Sequence, residues 1–423
     1  IVAVCLLNYL LGKHLATNKN KALFAGGILM NTFFLFFLKY FSISKGISFD
    51  AATFQVSSYA IALGVSFYTL QNIAYLIEVY RNRITPSDSF LDLLLFNAFF
   101  PKIISGPIES PDAFLKSLQK LNTPNSEDFA YGAQRIAFGF FKKMVIADRL
   151  APMVARVFDS DIPSNGLCTW VGICLFTVQL YFDFSGYIDI AIGSARLFGI
   201  RLSENFNFPL RANSISEFWR RWHITLIEWI KLYLYFPVVY KFRKSKQWGI
   251  IIGFAIVFLL SGMWHGIGLT FFVWSICHIV YLTYEILTRK QRKSWSKKIP
   301  HFIYQPVSIF ITFNLVCFSE LFFRSSSLSQ SMGLLKQTIT GPFFPTNWVL
   351  DFWAPLIGGG NQEELFNIYS TFLLFTIFLI FEKSIYRKAV SSQINIFIWL
   401  ILISLFFIFG IFESGAEFIY LQF

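Results

Sequence analysis

Long apolar runs recur along the chain: Ala22 to Phe41, Ile250 to Leu260 and on past a Trp-His-Gly break to Leu282, Phe302 to Phe323, Phe366 to Phe381, and Ile394 to Phe412. A helix needs about 20 apolar residues to cross the hydrocarbon core of a bilayer, and each run is that long or nearly so. Charged residues make up 14% of the chain, against about 25% in soluble domains, and phenylalanine alone occurs 53 times. The chain therefore reads as an all-α, polytopic membrane protein, a single transmembrane domain over residues 1–423. Ile1 opens directly in apolar sequence without a starting Met or a basic lead. The chain is thus expected to begin inside a longer one, with another span ahead of it.

A net charge of +12 could suggest a nucleic-acid binder. Lys and Arg instead gather in short clusters between the apolar runs: Lys13 to Lys21, Arg81 and Arg83, Lys142 and Lys143, Lys241 to Lys246, Arg289 to Lys298, and Lys383 to Lys388. That is the distribution of cytoplasmic loops, and no nucleic-acid partner is expected. The five cysteines have neither metal spacing nor a disulfide framework and read as packing residues.

Loop charge also orders the topology. Ile1 to Leu11 runs inward, Ala22 to Phe41 outward, Ser42 to Asp50 turns outside, and Ser57 to Ile77 returns. Phe90 to Ile104 is apolar but short and broken by Pro and Gly, as in a re-entrant or interfacial segment. Phe129 to Ala147 and Leu167 to Ile200 follow as helices, the second carrying Gln179, Asp183, Ser185 and Asp189 within its apolar run. Ser214 and Glu217 form a capping box, predicting a helix from there to about Tyr235, ended by Pro237. The basic clusters Lys241 to Lys246 and Arg289 to Lys298 place both ends of a hairpin, from about Trp248 to about Leu287, on the cytoplasmic side. His265 then lies roughly 25 Å of helix away from the cytoplasmic loop. Ser325 to Asn361 is expected to form an external loop with an interfacial helix, and two final spans flank Lys383 to Lys388.

Two of the five histidines stand in apolar sequence beside polar or glycine neighbours. An ionisable group at membrane depth is costly and by default a functional candidate. His265 lies in Ser261-Gly262-Met263-Trp264-His265-Gly266. A neutral imidazole can take a proton from a hydroxyl nucleophile and return it to a leaving group. The flanking Gly262 and Gly266 would admit a substrate or another backbone; the alternative is a core histidine bonded to a carbonyl. His223 closes Glu217-Phe218-Trp219-Arg220-Arg221-Trp222-His223. Here Glu217 and Arg221 can pair at i,i+4, Trp219 shares a face with His223, and the arginines suit a phosphate-bearing thioester donor; the alternative is an interfacial anchor. Asp183 and Asp189, six residues apart, lie on different helix faces, so each is a separate partner for a histidine or arginine, or a structural carboxylate. His278 has no such neighbours and reads as packing.

Taken in order, several segments resemble the membrane-bound O-acyltransferase family. They are Ser105-Gly106-Pro107-Ile108, Tyr181-Phe182-Asp183-Phe184-Ser185-Gly186-Tyr187, Glu204-Asn205-Phe206-Asn207, Glu217 to Ile224, Leu260 to Gly266, Phe322-Phe323-Arg324, and Phe418 to Phe423. The likeness is greatest to the bacterial alginate O-acetyltransferase branch, with the teichoic-acid D-alanyltransferase branch next. The resemblance implies about eleven transmembrane helices plus re-entrant and interfacial helices around a central funnel or tunnel. It implies that His265 is catalytic and His223 the second important polar residue, with Arg220, Arg221, Trp219, Trp264, Asp183, Glu217 and Asn205 toward substrate and no metal. It also implies an acyl, most simply acetyl, group taken from acetyl-CoA or an acyl-carrier thioester, with no bound cofactor. That group would be passed across the bacterial cytoplasmic membrane to an exopolysaccharide or cell-wall polymer. An extracytoplasmic acyltransferase partner and membrane lipid are the implied associates. One departure stands out: where the alginate branch continues with Arg-Asp-Tyr and a Pro-Leu-Gly-Gly-Asn turn, this chain has Ile230 to Val239. D-alanyl transfer to teichoic acid is the alternative within the class. A transporter or flippase is the alternative outside it, although inverted repeats are not evident.

Overall fold

A computed structural model describes residues 1–44, 64–121, 123–159, 166–341, 376, 382–386, 396–412 and 418–419. Among these the structure is helical throughout, joined by turns and short extended segments. Five helices are long and apolar enough to cross a membrane: Lys21–Lys39, Gly166–Leu197, Gln247–His265, Leu269–Leu287 and His301–Arg324. The architecture is all-α and polytopic. Val2–Thr17 and Ile396–Phe409 are shorter apolar helices. The span expected at Ser57 to Ile77 is described only from its C-terminal part, as helix Val65–Tyr80. Apart from residue 376, the one expected at Phe366 to Phe381 lies outside the described residues, as do the external turn up to Asp50 beyond residue 44 and the loop from residue 342 to Asn361.

The spans are unequally covered by protein. In Lys21–Lys39, 17% of the apolar window is buried, against 78% in Gly166–Leu197. The first is therefore little covered by the described residues, and its exposed apolar surface suits hydrocarbon. The second is enclosed, which is why it can carry Gln179, Asp183, Ser185 and Asp189 at 7% exposure or less.

The chain divides into two compact units, Ile1–Ile136 with Ile188–Glu204, and Ala137–Tyr187 with Asn205–Phe423. In the first, Asn8 and Asn31 are fully buried and exchange amide hydrogen bonds of 3.1 and 2.8 Å, a polar link of the kind that joins helices in lipid. The expected short segment is a helix, Phe90–Ala98, followed by turns. Lys102 in those turns is buried, donating to Gln71 Oε1 and Phe96 O at 2.5 Å each. Its ammonium also lies over the Phe96 and Phe114 rings, which add cation–π contact to the two hydrogen bonds. Arg135 holds Asp189 at 2.6 Å and Glu204 through two nitrogens at 2.8 and 2.6 Å, giving Asp189 the arginine partner expected of it.

In the second unit the expected hairpin is present as Gln247–His265 and Leu269–Leu287. Gly262 lets its two legs close: a Cβ there would run into Ser275 Oγ and stand 2.8 Å from Phe271 O. Ser275 ties the legs by donating to Phe258 O at 2.8 Å. Of the two uses foreseen for these glycines, close approach of another helix is the one Gly262 serves. The basic cluster after the hairpin is the exposed helix Arg289–Lys298.

Between residues 214 and 241 the structure departs from expectation. The helix capped at Ser214 stops at Arg221, Trp222 is extended, and helix resumes at Ile224–Ile230. Pro237 does not end the helical run either. A π-turn, Lys231–Tyr235, precedes it, and Phe236–Lys241 continues the helix. The Phe236 amide there bonds Lys231 O, five residues back, so the ladder has already shifted where proline lacks a donor.

Candidate functional site

The break at His223 is made by a distant strap. Asn207 N donates to Arg221 O and Ile224 N to Asn205 O, both at 2.9 Å, drawing residues 205–207 along 221–224. His223 then adopts φ 46°, ψ 50°, a left-handed conformation costing a non-glycine residue about 1–2 kcal/mol. Asn205 offsets that cost. Its Oδ1 accepts from Thr225 N at 3.1 Å and Thr225 Oγ1 at 3.0 Å and lies 3.2 Å from His223 Nδ1. Because a backbone N–H can only donate, the Asn205 atom it meets must be the oxygen. His223 Nδ1 must therefore carry the hydrogen, leaving Nε2 as the lone-pair nitrogen. His223 is 1% exposed, and burial pushes its imidazole down to about 3, so the ring is neutral. Phe184 meets it edge-on at 5.0 Å.

The break also separates residues expected on one face. Trp219 turns toward the hairpin, where its Nε1 donates to His278 Nδ1 at 3.2 Å, and does not pack beside His223. The capping box forms with a shift: Ser214 Oγ accepts from Glu217 N, while Glu217 reaches past Ser214 to the amide of Asn213 at 2.8 Å. Glu217 also pairs with Arg221 at 2.5 Å, as its spacing predicted. Burial alone would raise the Glu217 carboxyl, but the Asn213 amide and the Arg221 guanidinium outweigh it and hold the group below the usual range. Arg221 also bonds Phe208 O at 3.3 Å, whereas Arg220 is exposed. Glu285, which the sequence did not single out, accepts from Ile215 N at 2.6 Å and from Ser216 Oγ at 2.5 Å. A carboxylate from the hairpin thus sits at the start of the arginine helix, where negative charge is favourable. The only sequence signal was a lone acid in the last turn of an apolar helix.

His265 is the last residue of its helix, and Gly266 leaves in extended conformation. At 19 residues that leg is about 28 Å long. The imidazole is 8% exposed and walled by rings: Trp264 at 4.7 Å, Phe323 at 4.9 Å and Trp274 at 5.6 Å between centroids. Trp274 donates to Glu320 Oε1 at 3.2 Å and meets His278 edge-on at 4.9 Å. His278, read from sequence as packing, is fully buried between Trp219 and Trp274, so ring contacts run from the arginine helix to His265. Asp183 joins neither histidine. It pairs with Lys143 at 2.7 Å, as Asp148 does, and accepts from the Ile419 amide at 2.8 Å. Its neighbour Phe184 is the residue that touches His223.

The sequence signature described as MBOAT, membrane-bound O-acyltransferase family, matches residues 25–327. The chain belongs to that family. Curated relatives of this MBOAT chain include the peptidoglycan O-acetyltransferase of Helicobacter pylori, 33% identical over 73% of this chain and 63% of the relative. A probable alginate O-acetylase, AlgI, of Pseudomonas aeruginosa is 36% identical over 66% of this chain and 52% of the relative. The teichoic acid D-alanyltransferase of Bacillus subtilis is 30% identical over 62% and 68%. The chain thus spans about half to two thirds of the length of these relatives, and both branches expected from the motifs are represented. With its five described spans, this MBOAT chain is a multi-pass protein of the bacterial cytoplasmic membrane type.

Proposed function

We propose that the protein moves an acyl group, acetyl in the first instance, from a cytoplasmic thioester across the membrane for O-acylation of an exopolysaccharide or cell-wall polymer. The carrying observation is the placement of His265: it ends a spanning helix whose other end is basic, and its ring is enclosed by Trp264, Trp274 and Phe323. In this reading His265 removes the proton of the acceptor hydroxyl as its oxygen attacks the thioester carbonyl. The C–S bond breaks, an ester forms, and the proton passes to the departing thiolate. Arg220 and the basic helix Arg289–Lys298 meet the phosphates of coenzyme A or the acidic surface of a carrier protein, and the Asn205-clamped His223 lines the donor's route. About eleven spans around a funnel, an extracytoplasmic acyltransferase partner and annular lipid complete the proposal.

Acetyl transfer is supported by the peptidoglycan and alginate relatives, which carry that activity in their names. The similarity to a D-alanyltransferase keeps D-alanyl as the second reading. Purified protein is incubated with labelled acetyl-CoA or with D-alanyl carrier protein, with His265→Ala alongside. Label transferred from acetyl-CoA by wild type and lost in the variant is expected. Transfer from the D-alanyl carrier alone would select the second reading, and full activity in the variant would remove His265 from the chemistry.

A further inference from the structure

We propose that Glu320 is a positioning residue for His265, acting through the indole of Trp274. This deepens the assignment of His265 above and rests on it. Glu320 stands within the spanning helix His301–Arg324 and is 6% exposed. A carboxyl group at such a place is expensive, and among the described residues no cation pairs with it. The hydrogen bond it makes is the one accepted by Oε1 from Trp274 Nε1, while Oε2 is buried without a partner. Trp274 is one of the rings that meet His265 edge-on, at 5.6 Å. Phe323, one turn further along Glu320's own helix, meets the same imidazole at 4.9 Å. One turn of helix thus fixes two sides of His265, Phe323 by contact and Glu320 by anchoring the indole.

An indole has one polar atom. Once buried, its N–H must find an acceptor or be left stranded, at about 1–3 kcal/mol. With Glu320 in place, Trp274 has one favoured orientation. Without it, the ring is free to turn toward another acceptor and take the wall of the His265 pocket with it. Displacement of a catalytic group by about 1 Å can lower a rate by about 100-fold.

The test compares Glu320→Gln, which keeps an acceptor oxygen, with Glu320→Leu, which fills the volume and suits lipid but cannot accept. Trp274→Phe removes the donor, and the double variant Trp274→Phe/Glu320→Leu closes a cycle. All are assayed in detergent with labelled acetyl-CoA over a range of pH, after size-exclusion and thermal-unfolding checks. Glu320→Gln is expected within about threefold of wild type with an unchanged pH profile. Glu320→Leu and Trp274→Phe are each expected to lose about 10- to 100-fold in kcat with little change in KM for the donor, and the double variant is expected to be no worse than the poorer single one. Wild-type turnover in Glu320→Leu would overturn the proposal. So would a Glu320→Gln variant as impaired as Glu320→Leu, since the carboxyl would then act on the reacting atoms directly, or additive losses in the cycle. His265→Ala serves as the separate control: activity retained there sinks the catalytic assignment whatever Glu320 does.

Discussion

Replacing Asn205 by alanine removes one oxygen on which three donors converge, Thr225 N, Thr225 Oγ1 and His223 Nδ1, at 3.0 to 3.2 Å. All three residues are at most 4% exposed, so water has little room to substitute. The threonine hydroxyl can rotate to another acceptor, but the backbone amide cannot. Loss of its acceptor costs about 1–3 kcal/mol, and the left-handed backbone at His223 loses its clamp. At about 2 °C per kcal/mol for a large domain, unfolding in detergent should fall by about 2–6 °C, with acyl transfer falling in parallel. Asn205→Asp keeps an oxygen for all three donors and replaces an amide nitrogen that has no partner among the described residues. It should recover part of the loss while raising the proton affinity of His223. Melting within 1 °C of wild type and unchanged turnover for Asn205→Ala would refute the clamp.

Other consequences follow from the same contacts. The unfolded chain binds a proton on His223 near pH 6.5, whereas the folded value is about 3. The stability this neutral ring contributes is therefore complete above about pH 6.5 and lost as pH falls toward 3, and His223→Gln should flatten the acid limb of a melting-temperature profile. Gly262→Ala should destabilise the hairpin by about 1–3 kcal/mol through overlap with Ser275 and Phe271, read by thermal unfolding. Asn8→Leu or Asn31→Leu alone should cost more than the double replacement, with a coupling of about 0.6–1.7 kcal/mol in a double-mutant cycle. Glu285→Ala should weaken the start of the arginine helix by about 0.5–2 kcal/mol, seen as faster amide exchange at Ile215 and Ser216.

The spans and the hairpin were legible because hydropathy and loop charge are local properties, and the Glu217–Arg221 pair because it depends only on helical spacing. The break at Trp222–His223 was not. It depends on the strap at residues 205–207, whose relation to residue 221 no local period records, so the capping box was extended into one helix too long. His278, read as packing, is indeed buried, but its bonding partner was hidden for a related reason. Its sequence neighbours are apolar, while the indole that bonds it comes from residue 219. For Asp183 two readings stood open, and the structural carboxylate is the one its pairing fits: Lys143, neither histidine nor arginine, reaches it from a π-turn that shifts side-chain register relative to an α-helix. For Asp183 and Asp189 the sequence pointed to a group that needed a partner and packing supplied the partner's identity; for Glu285 and Glu320 even the need became visible only in the packing.

The Asp183 anchor also carries a schedule. Lys143 precedes it in the chain, so the ion pair can form as soon as both helices have left the ribosome. The Ile419 amide lies 236 residues downstream. At about 5–20 residues per second it emerges roughly 12–47 s after Asp183. Through that interval the buried carboxylate must wait in the membrane with the lysine as its companion. Lys143 would then act as an internal chaperone during synthesis, and its removal should show first in the yield of inserted protein.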